Sequence, residues 1–221
     1  MAEQQVNRDT YTFDKYCVIE RWSSYWHQIK EILALKPDSV LEIGVGDKVL
    51  ASYLKNNTAI KYSNLDIAQD LQPDIVGSVD DMKNISDNSF DLVCAFEVLE
   101  HLPFEKFGQS LNELKRVSKQ SIIISLPHWG RHFSLEIRLP LLGKLRFQYK
   151  FNLWPIKHVF NGQHYWEIGK ADYNLKTIKQ AITETGLKIN NDYIAFASPY
   201  HHFFILEKIT SVKKHPEQGV G

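Results

Sequence analysis

The most constraining feature of this chain is the stretch Val40–Asp47, where an apolar run carrying one acid is followed at once by two glycines. This order predicts a buried strand, a tight turn and the start of a helix. Glycine is needed in such a turn because a Cβ atom would block it and keep a ligand away from the backbone. Glu42 stands at the strand tip, where its carboxylate disfavours a phosphate and favours a ligand with an ammonium group.

Three further acidic positions follow along the chain. Asp66 closes the next apolar-leaning stretch, 24 residues after Glu42, and a carboxylate there can accept hydrogen bonds from both hydroxyls of a ribose. Gly77–Met82 is a loop with two adjacent acids, and a strand predicted over Phe90–Phe96 runs into Glu97-Val98-Leu99-Glu100-His101-Leu102. Ligands of parallel sheets bind beyond the carboxyl ends of the strands, where all these acids are expected to lie.

Bulk composition limits the possible function classes. The chain has 221 residues, 43% of them hydrophobic, which is enough for one domain with a good core. Equal numbers of basic and acidic residues, 26 of each, argue against a general nucleic-acid binder. Two cysteines provide neither a disulfide framework nor a metal-binding set. No apolar run approaches the ~18 residues of a membrane span, and the polar start lacks a signal-peptide pattern, so we expect a cytoplasmic protein of unknown oligomeric state.

Strands alternate with helices, which predicts an α/β fold with a mainly parallel sheet. Apolar periodicity and turn signals predict four helices, over residues 15–35, 48–55, 102–117 and 173–185. A fifth strand over 121–126 and a closing pair over 187–197 and 202–209 complete the pattern. We expect a flexible arm at 1–12, one domain at 13–210 and a disordered tail at 211–221.

From about residue 38 to 126 the chain resembles the class I S-adenosylmethionine-dependent methyltransferases. The similarity is greatest to a small-molecule branch whose fourth strand leads into the sequence EVLEHL, here residues 97–102. The resemblance implies a seven-stranded, mainly parallel Rossmann-like sheet with an antiparallel last strand and helices on both faces. It also implies S-adenosyl-L-methionine as the cofactor and methyl transfer as the activity.

The resemblance further implies which residues hold this cofactor: Glu42, Gly44, Val45 and Gly46 near the methionyl end, Asp66 and Ile67 at the ribose, Val79 with Asp80 or Asp81 at the adenine, and Phe96 and Glu97 at the tip of the fourth strand. Many members of the family carry a third glycine where this chain has Lys48. The loop is therefore stiffer and more basic than usual.

Two other functions are the alternatives to this one. A nicotinamide dinucleotide site would need a third glycine at position 49, which is Val49, and Glu42 would repel its pyrophosphate. This argues against an NAD-dependent oxidoreductase. A non-catalytic relative that binds the cofactor and acts through a partner protein is the other alternative.

Residues 128–172 form an unusually long connection between the fifth strand and the next helix, which predicts a substrate lid. From 128 to 160 this segment holds six basic residues against the single acid Glu136, with aromatic residues interleaved. The composition favours an anionic or sugar-like acceptor, because rings stack on sugars and arginines bind phosphates or carboxylates. Leu139–Leu142 among these bases suggests peripheral contact with a membrane. Alternatively, the aromatics form the lid's own core.

Three histidines are candidate general bases: His101, His128 and His164. The alternative for each histidine is a structural role in which its ring is hydrogen-bonded. The pair His201-His202 has no supporting carboxylate or cysteine nearby in sequence, so we expect no metal site. Nucleic-acid amino methyltransferases carry Asn or Asp followed by Pro-Pro-aromatic after this strand, and the chain has Phe96–Leu99 instead. We therefore expect a small-molecule acceptor, with oxygen favoured over nitrogen.

Overall fold

The computed structural model describes residues 4, 6, 8–141 and 143–209, so the tail expected to be disordered, 211–221, and parts of the N-terminal arm lie outside it. Seven strands form one sheet in the order β3-β2-β1-β4-β5-β9-β8. The strands are β1 Ser39–Ile43, β2 Lys61–Asp66, β3 Ile75–Val76, β4 Phe90–Phe96, β5 Ser118–Pro127, β8 Leu187–Ile194 and β9 His201–Lys208. All pairs are parallel except those of β9, which is antiparallel to β5 and β8. The predicted fold class is confirmed.

Helices cover both faces of the sheet. They are α1 Phe13–Tyr16, α2 Ile19–Leu35, α3 Val49–Asn57, α4 Phe107–Val117 and α5 Leu175–Glu184. Helices α4 and α5 pack on the face that carries Leu41, whereas α2 and α3 pack on the face that carries Val40. Successive strand residues point to opposite faces, so β1 contributes to both cores. Among the described residues, no helix is long and apolar enough to cross a membrane.

Two predicted helices are less continuous than the apolar pattern suggested. The helix expected over 15–35 is broken at Cys17 and Val18 into α1 and α2, and the Val18 N–H donates to the Tyr16 carbonyl, which closes a separate turn. The helix expected from Leu102 starts at Phe107, after a 3-10 turn over Phe104–Lys106 that follows Pro103. Apolar periodicity does not distinguish such turns from a continuous helix.

The inserted segment 128–172 contains a β-hairpin of its own. Strands β6 Arg131–Leu139 and β7 Gly143–Phe151 pair with each other, and among the described residues neither pairs with a strand of the main sheet. The segment returns to the sheet edge, where the Ile168 N–H donates to Pro127 and the Trp129 N–H donates to Ile168. Asn152 then donates to the carbonyls of Trp129 and Gly169, which fastens the base of the hairpin.

Trp166 anchors the second half of this segment in the core. Its side chain is fully buried against the rings of Phe104 and Phe107. The indole N–H donates to the carbonyl of Leu102 at 3.1 Å. Because the Tyr165 N–H also donates to the Glu100 carbonyl, the stretch 163–167 is fixed beside the end of β4.

We expect Trp166→Ala to reduce the free energy of unfolding by ~3–5 kcal/mol, because it removes a large buried ring. Trp166→Phe keeps most of the packing and leaves the Leu102 carbonyl without its donor, so it should cost ~1–3 kcal/mol. Urea unfolding measures both, with Trp154→Phe as the matched control on an exposed tryptophan. Equal stability of all three variants would show that residue 166 does not anchor the segment.

Candidate functional site

A cavity of about 420 Å³ lies at the carboxyl ends of β1, β2 and β4. One wall is the main sheet with its loops, and the other wall comes from the N-terminal segment and the inserted segment. Of the residues proposed above as cofactor-binding, nine line this cavity: Glu42, Gly44, Val45, Gly46, Asp66, Ile67, Val79, Phe96 and Glu97.

The glycine turn after β1 requires its glycine. Gly44 has φ +79°, and a Cβ atom there would lie 2.5 Å from Cγ2 of Val98. Lys48, where relatives often carry glycine, has φ +65° and occupies the left-handed conformation that glycine adopts without strain. The Val49 N–H at the start of α3 is capped by the Asp47 carboxylate at 3.3 Å.

Asp66 braces this turn from the end of β2. One carboxylate oxygen accepts from the Val45 N–H and the other from the Ala68 N–H, both at 2.8 Å. Burial raises the pKa of Asp66, against the effect of these two hydrogen bonds. Each carboxylate oxygen has a second lone pair, so Asp66 can still accept from a ligand.

Glu42 is buried at the end of β1 and accepts a hydrogen bond from the hydroxyl of Tyr62. Burial raises the pKa of Glu42 to about 8, despite this hydrogen bond. A buried carboxyl group with a raised pKa becomes ionised when a cation is placed beside it. The cavity wall at Glu42 is therefore suited to a ligand with a positive group.

The acidic loop faces the cavity through Ser78 and Val79, and neither of its two acids lines the cavity. Asp80 is paired with Lys106 and accepts from the Ser78 hydroxyl. Asp81 is exposed and lies 3.2 Å from the ammonium of Lys83. An adenine contact by either carboxylate would require rearrangement of these pairs.

Beyond the tip of β4, Glu97 is held in a left-handed conformation with φ +55°. Its carboxylate accepts from the Ser125 hydroxyl at 2.8 Å. Burial raises the pKa of Glu97 to about 8, although the hydrogen bond from Ser125 and the charge of Arg21 oppose this.

The inserted segment supplies the cavity wall next to Glu97, with Gln163 and His164 from the insert, and His101 and Tyr200 beside them. His164 Nδ1 lies 3.0 Å from Oε1 of Glu167, and the Tyr200 hydroxyl donates to the same oxygen at 2.7 Å. Although burial opposes it, these hydrogen bonds hold the pKa of Glu167 below its usual value. Glu167 therefore orients His164 as an ionised carboxylate.

Glu100, His101 and His164 bring three ligand atoms within 4.8 Å of one another. Glu100 is fully buried, and both of its carboxylate oxygens lack a hydrogen-bond partner among the described residues. His101 Nδ1 lies 3.1 Å from the Gln163 carbonyl, so both imidazoles of the cluster are oriented through Nδ1. Metal-binding histidines are commonly held in this way by a carbonyl or a carboxylate.

Three further histidines, His128, His201 and His202, lie outside the cavity lining. His128 lies outside the cavity lining, buried, with its Nδ1 3.0 Å from Nδ1 of His202. Burial lowers the pKa of His128 to about 3. The His201-His202 pair, for which we expect no metal site, lies beside two carboxylates: His202 Nε2 lies 3.1 Å from Asp192, and His201 Nε2 lies 3.7 Å from Glu97. Asp192 comes from the neighbouring strand β8, and Glu97 follows β4.

Four residues that precede β1 belong to the cavity wall and were not among the candidate site residues. The residues concerned are Tyr11, Tyr16, Arg21 and Tyr25, which all line the cavity. The Tyr25 hydroxyl donates to Asp47 at 2.6 Å, and the Arg21 guanidinium lies 4.5 Å from the centre of the Tyr16 ring. Tyr11, within the arm expected to be flexible, packs against Val45, Ala68 and Leu71. The density of tyrosines before the first strand was the available signal.

Comparisons with known proteins agree with this architecture. Residues 41–124 match the family model described as a methyltransferase domain. No curated protein sequence matches the chain. Among solved structures, an S-adenosylmethionine-dependent methyltransferase from Clostridium acetobutylicum ATCC 824 superposes with a TM-score of 0.59 at 12% identity, covering 91% of this chain and 98% of that one.

Two further structures share the fold. Magnesium protoporphyrin IX methyltransferase from Synechocystis PCC 6803 with bound S-adenosylmethionine gives a TM-score of 0.56 at 14% identity, covering 93% of this chain and 86% of that one. A 1,6-didemethyltoxoflavin-N1-methyltransferase from Burkholderia thailandensis gives 0.52 at 12% identity, covering 85% of each chain. At such identities the likeness is one of fold. The matched methyltransferase domain, which includes the glycine turn and Asp66, supports S-adenosylmethionine as the cofactor.

Proposed function

We propose that this chain transfers the methyl group of S-adenosylmethionine to a hydroxyl oxygen of a small molecule. The observation that carries the proposal is the oriented pair of His164 and Glu167 on the wall of the cavity that also contains the glycine turn and Asp66. A group that can accept a proton therefore lies in the same cavity as the residues expected to hold the cofactor.

Each group of the cofactor then lies beside cavity residues of complementary chemistry. The ammonium group lies near Glu42, whose buried carboxyl group it would ionise. The ribose hydroxyls donate to Asp66, and the adenine lies against Ser78 and Val79. These assignments follow the order of the strands in the sheet, because Glu42 lies near the end of β1, Asp66 at the end of β2, and Ser78 and Val79 in the loop after β3. The wall formed by His101, Gln163, His164 and Tyr200 is then left for the acceptor.

The chemistry needs alignment and removal of one proton. The sulfonium methyl group is already activated, and the acceptor oxygen attacks it in line with the departing sulfur. In the tautomer that carries its proton on Nδ1, toward Glu167, the free Nε2 of His164 is the nitrogen that takes the acceptor's proton. Nε2 lies 3.9 Å from Glu100, whose pKa is raised by burial.

The ligand cluster Glu100, His101 and His164 supports a second way to activate the acceptor. A carboxylate and two imidazoles suit a divalent ion such as Zn²⁺ or Mn²⁺. Glu100, with no hydrogen-bond partner for either oxygen among the described residues, fits a metal ligand better than a purely structural group. When bound, such an ion would lower the pKa of a coordinated hydroxyl.

An anionic or sugar-like acceptor is supported by the cavity itself rather than by the basic hairpin. None of the six basic side chains between 128 and 160 lines the cavity, whereas Lys15 and Arg21 do. Lys150 is engaged by the carbonyls of His128 and Pro199. Arg21, beside the tyrosines of the N-terminal segment, is thus the cation we assign to an acceptor carboxylate or phosphate.

Removal of the ribose acceptor tests the cofactor assignment. We expect Asp66→Ala to weaken binding of S-adenosylhomocysteine at least about tenfold, because a hydrogen bond to a charged group is worth ~1.5–3 kcal/mol. Isothermal titration calorimetry measures the affinity. Asp70→Ala, on an exposed acid outside the cavity lining, is the matched control. Unchanged affinity in a folded Asp66→Ala protein would remove Asp66 from the cofactor site.

The acceptor assignment is tested at His164. With an acceptor found by screening phenols and anionic sugars, His164→Gln should lower turnover by ~10²–10⁴-fold and leave cofactor affinity unchanged. His132→Gln, on an exposed histidine of the hairpin, is the control. Turnover within a few-fold of the unmodified protein would exclude His164 as the base and as a metal ligand.

Metal binding separates the two ways of activating the acceptor. If the cluster holds an ion, calorimetric titration with Zn²⁺ or Mn²⁺ should show one site that Glu100→Gln and His101→Gln abolish and His132→Gln retains. If no ion binds, general-base catalysis by His164 stands alone. A site that survives in Glu100→Gln would place the ion elsewhere.

Two rival functions make different predictions in the same assays. A non-catalytic relative would bind S-adenosylhomocysteine and give no turnover with any acceptor. An NAD-dependent oxidoreductase would bind the dinucleotide. Val49, which stands where a dinucleotide fingerprint needs its third glycine, argues against the second.

A further inference from the structure

The β6–β7 hairpin has one apolar face and one polar face. Direct cross-strand pairs are Phe133 with Tyr149, Leu135 with Phe147, and Ile137 with Leu145. Because side chains alternate along a strand, these six lie on the same face, which we call the apolar face. The intervening positions pair His132 with Lys150, Ser134 with Gln148, Glu136 with Arg146, and Arg138 with Lys144.

The polar face is the one that contacts the body of the protein. Lys150 donates to the carbonyl of Pro199 at 2.5 Å, and the side-chain amide of Gln148 is buried. The Arg146 guanidinium lies 4.7 Å from the centre of the Phe196 ring. The apolar face therefore points away from the body, and its six side chains are 43% to 59% exposed. This is the reverse of a hairpin that packs its apolar side inward.

The exposed apolar surface continues around the turn of the hairpin. Leu141 at the tip is fully exposed to solvent, with a relative exposure of 106%. It is flanked by the cations Arg138 and Lys144, both exposed. Contiguous exposed apolar surface of this kind marks an interaction site.

Charge is segregated toward this hairpin. Residues 128–160 carry six basic side chains and one acidic side chain, while the whole chain is neutral. The rest of the chain is therefore net negative by five charges. The single acid, Glu136, is paired with Lys144 at 3.1 Å and Arg146 at 2.8 Å.

We propose that the β6–β7 hairpin docks the protein onto an anionic lipid surface, with the apolar face and Leu141 in the interfacial layer and the flanking cations at the headgroups. A lipid layer accepts aliphatic and aromatic side chains without a matching shape, and it attracts the excess positive charge. A second copy fits less well, because pairing two hairpins would bring two positively charged segments together. The proposal does not depend on the methyl acceptor.

Vesicle cosedimentation of the full chain tests this. The protein should sediment with vesicles of phosphatidylcholine mixed with phosphatidylglycerol, and less with phosphatidylcholine alone or at high salt. The double variant Leu145→Gln/Phe147→Gln should bind at least about tenfold more weakly. Arg138→Gln/Lys144→Gln should lose the preference for phosphatidylglycerol. Tyr53→Gln, on an exposed ring of α3, is the matched control and should bind normally.

All these variants should keep their affinity for S-adenosylhomocysteine and their circular dichroism spectrum, since none of the altered residues lines the cavity. Absence of sedimentation with either vesicle, or equal binding by all variants, would overturn the proposal. Sedimentation velocity measures whether the chain forms a dimer, which is the second result that would contradict docking to lipid. A dimer of the unmodified chain that Leu145→Gln/Phe147→Gln dissociates would make a second copy the occupant of this face.

Discussion

The burial of glutamates at the carboxyl edge of the sheet is the constraint on which the site depends. Glu42 is the penultimate residue of β1, and Glu97 and Glu100 follow β4; burial raises the pKa of all three. A buried carboxyl group is costly in its ionised form unless hydrogen bonds or a cation compensate it. Tyr62 and Ser125 each supply one hydrogen bond. A positively charged ligand at this edge would stabilise the ionised form of these carboxyl groups. The proposed contact between Glu42 and the ammonium group of the cofactor rests on this property.

The inserted segment 128–172 forms the part of the cavity wall that faces the end of β4. Trp166, packed under Phe104 and Phe107, fixes His164 and Glu167 beside the end of β4. The polar face of the hairpin is fastened to the same region through Lys150. The insert therefore has two separate parts. One forms the cavity wall, and the other presents an apolar face to the outside. The basic residues that suggested an acceptor site in the sequence belong to the second part.

Local patterns predicted the sheet and the glycine turn, because strand alternation, helix periodicity and the conformational demand at Gly44 are properties of neighbouring residues. Side-chain partners depend on distant residues and were not predictable in this way. Asp80 is held by Lys106, 26 residues away, and His128 meets His202, 74 residues away. The same holds for Tyr11, whose partners Val45 and Ala68 lie across the turn. The sequence did not predict which face of the hairpin is exposed. Alternation of polar and apolar residues along β6 and β7 defines two faces, but it does not show which of them packs on the rest of the protein.

Calorimetric titration with S-adenosylhomocysteine, in two buffers that differ in ionisation enthalpy, tests whether Glu42 receives the ammonium group of the cofactor. Glu42, with a pKa of about 8 in the empty cavity, is mostly protonated near neutral pH. An ammonium group beside it lowers that pKa, so binding should release a proton near neutral pH and not well above the pKa. Glu42→Gln should bind without this release, and NAD should not bind. Binding without any proton release, or tight binding of NAD, would contradict the account.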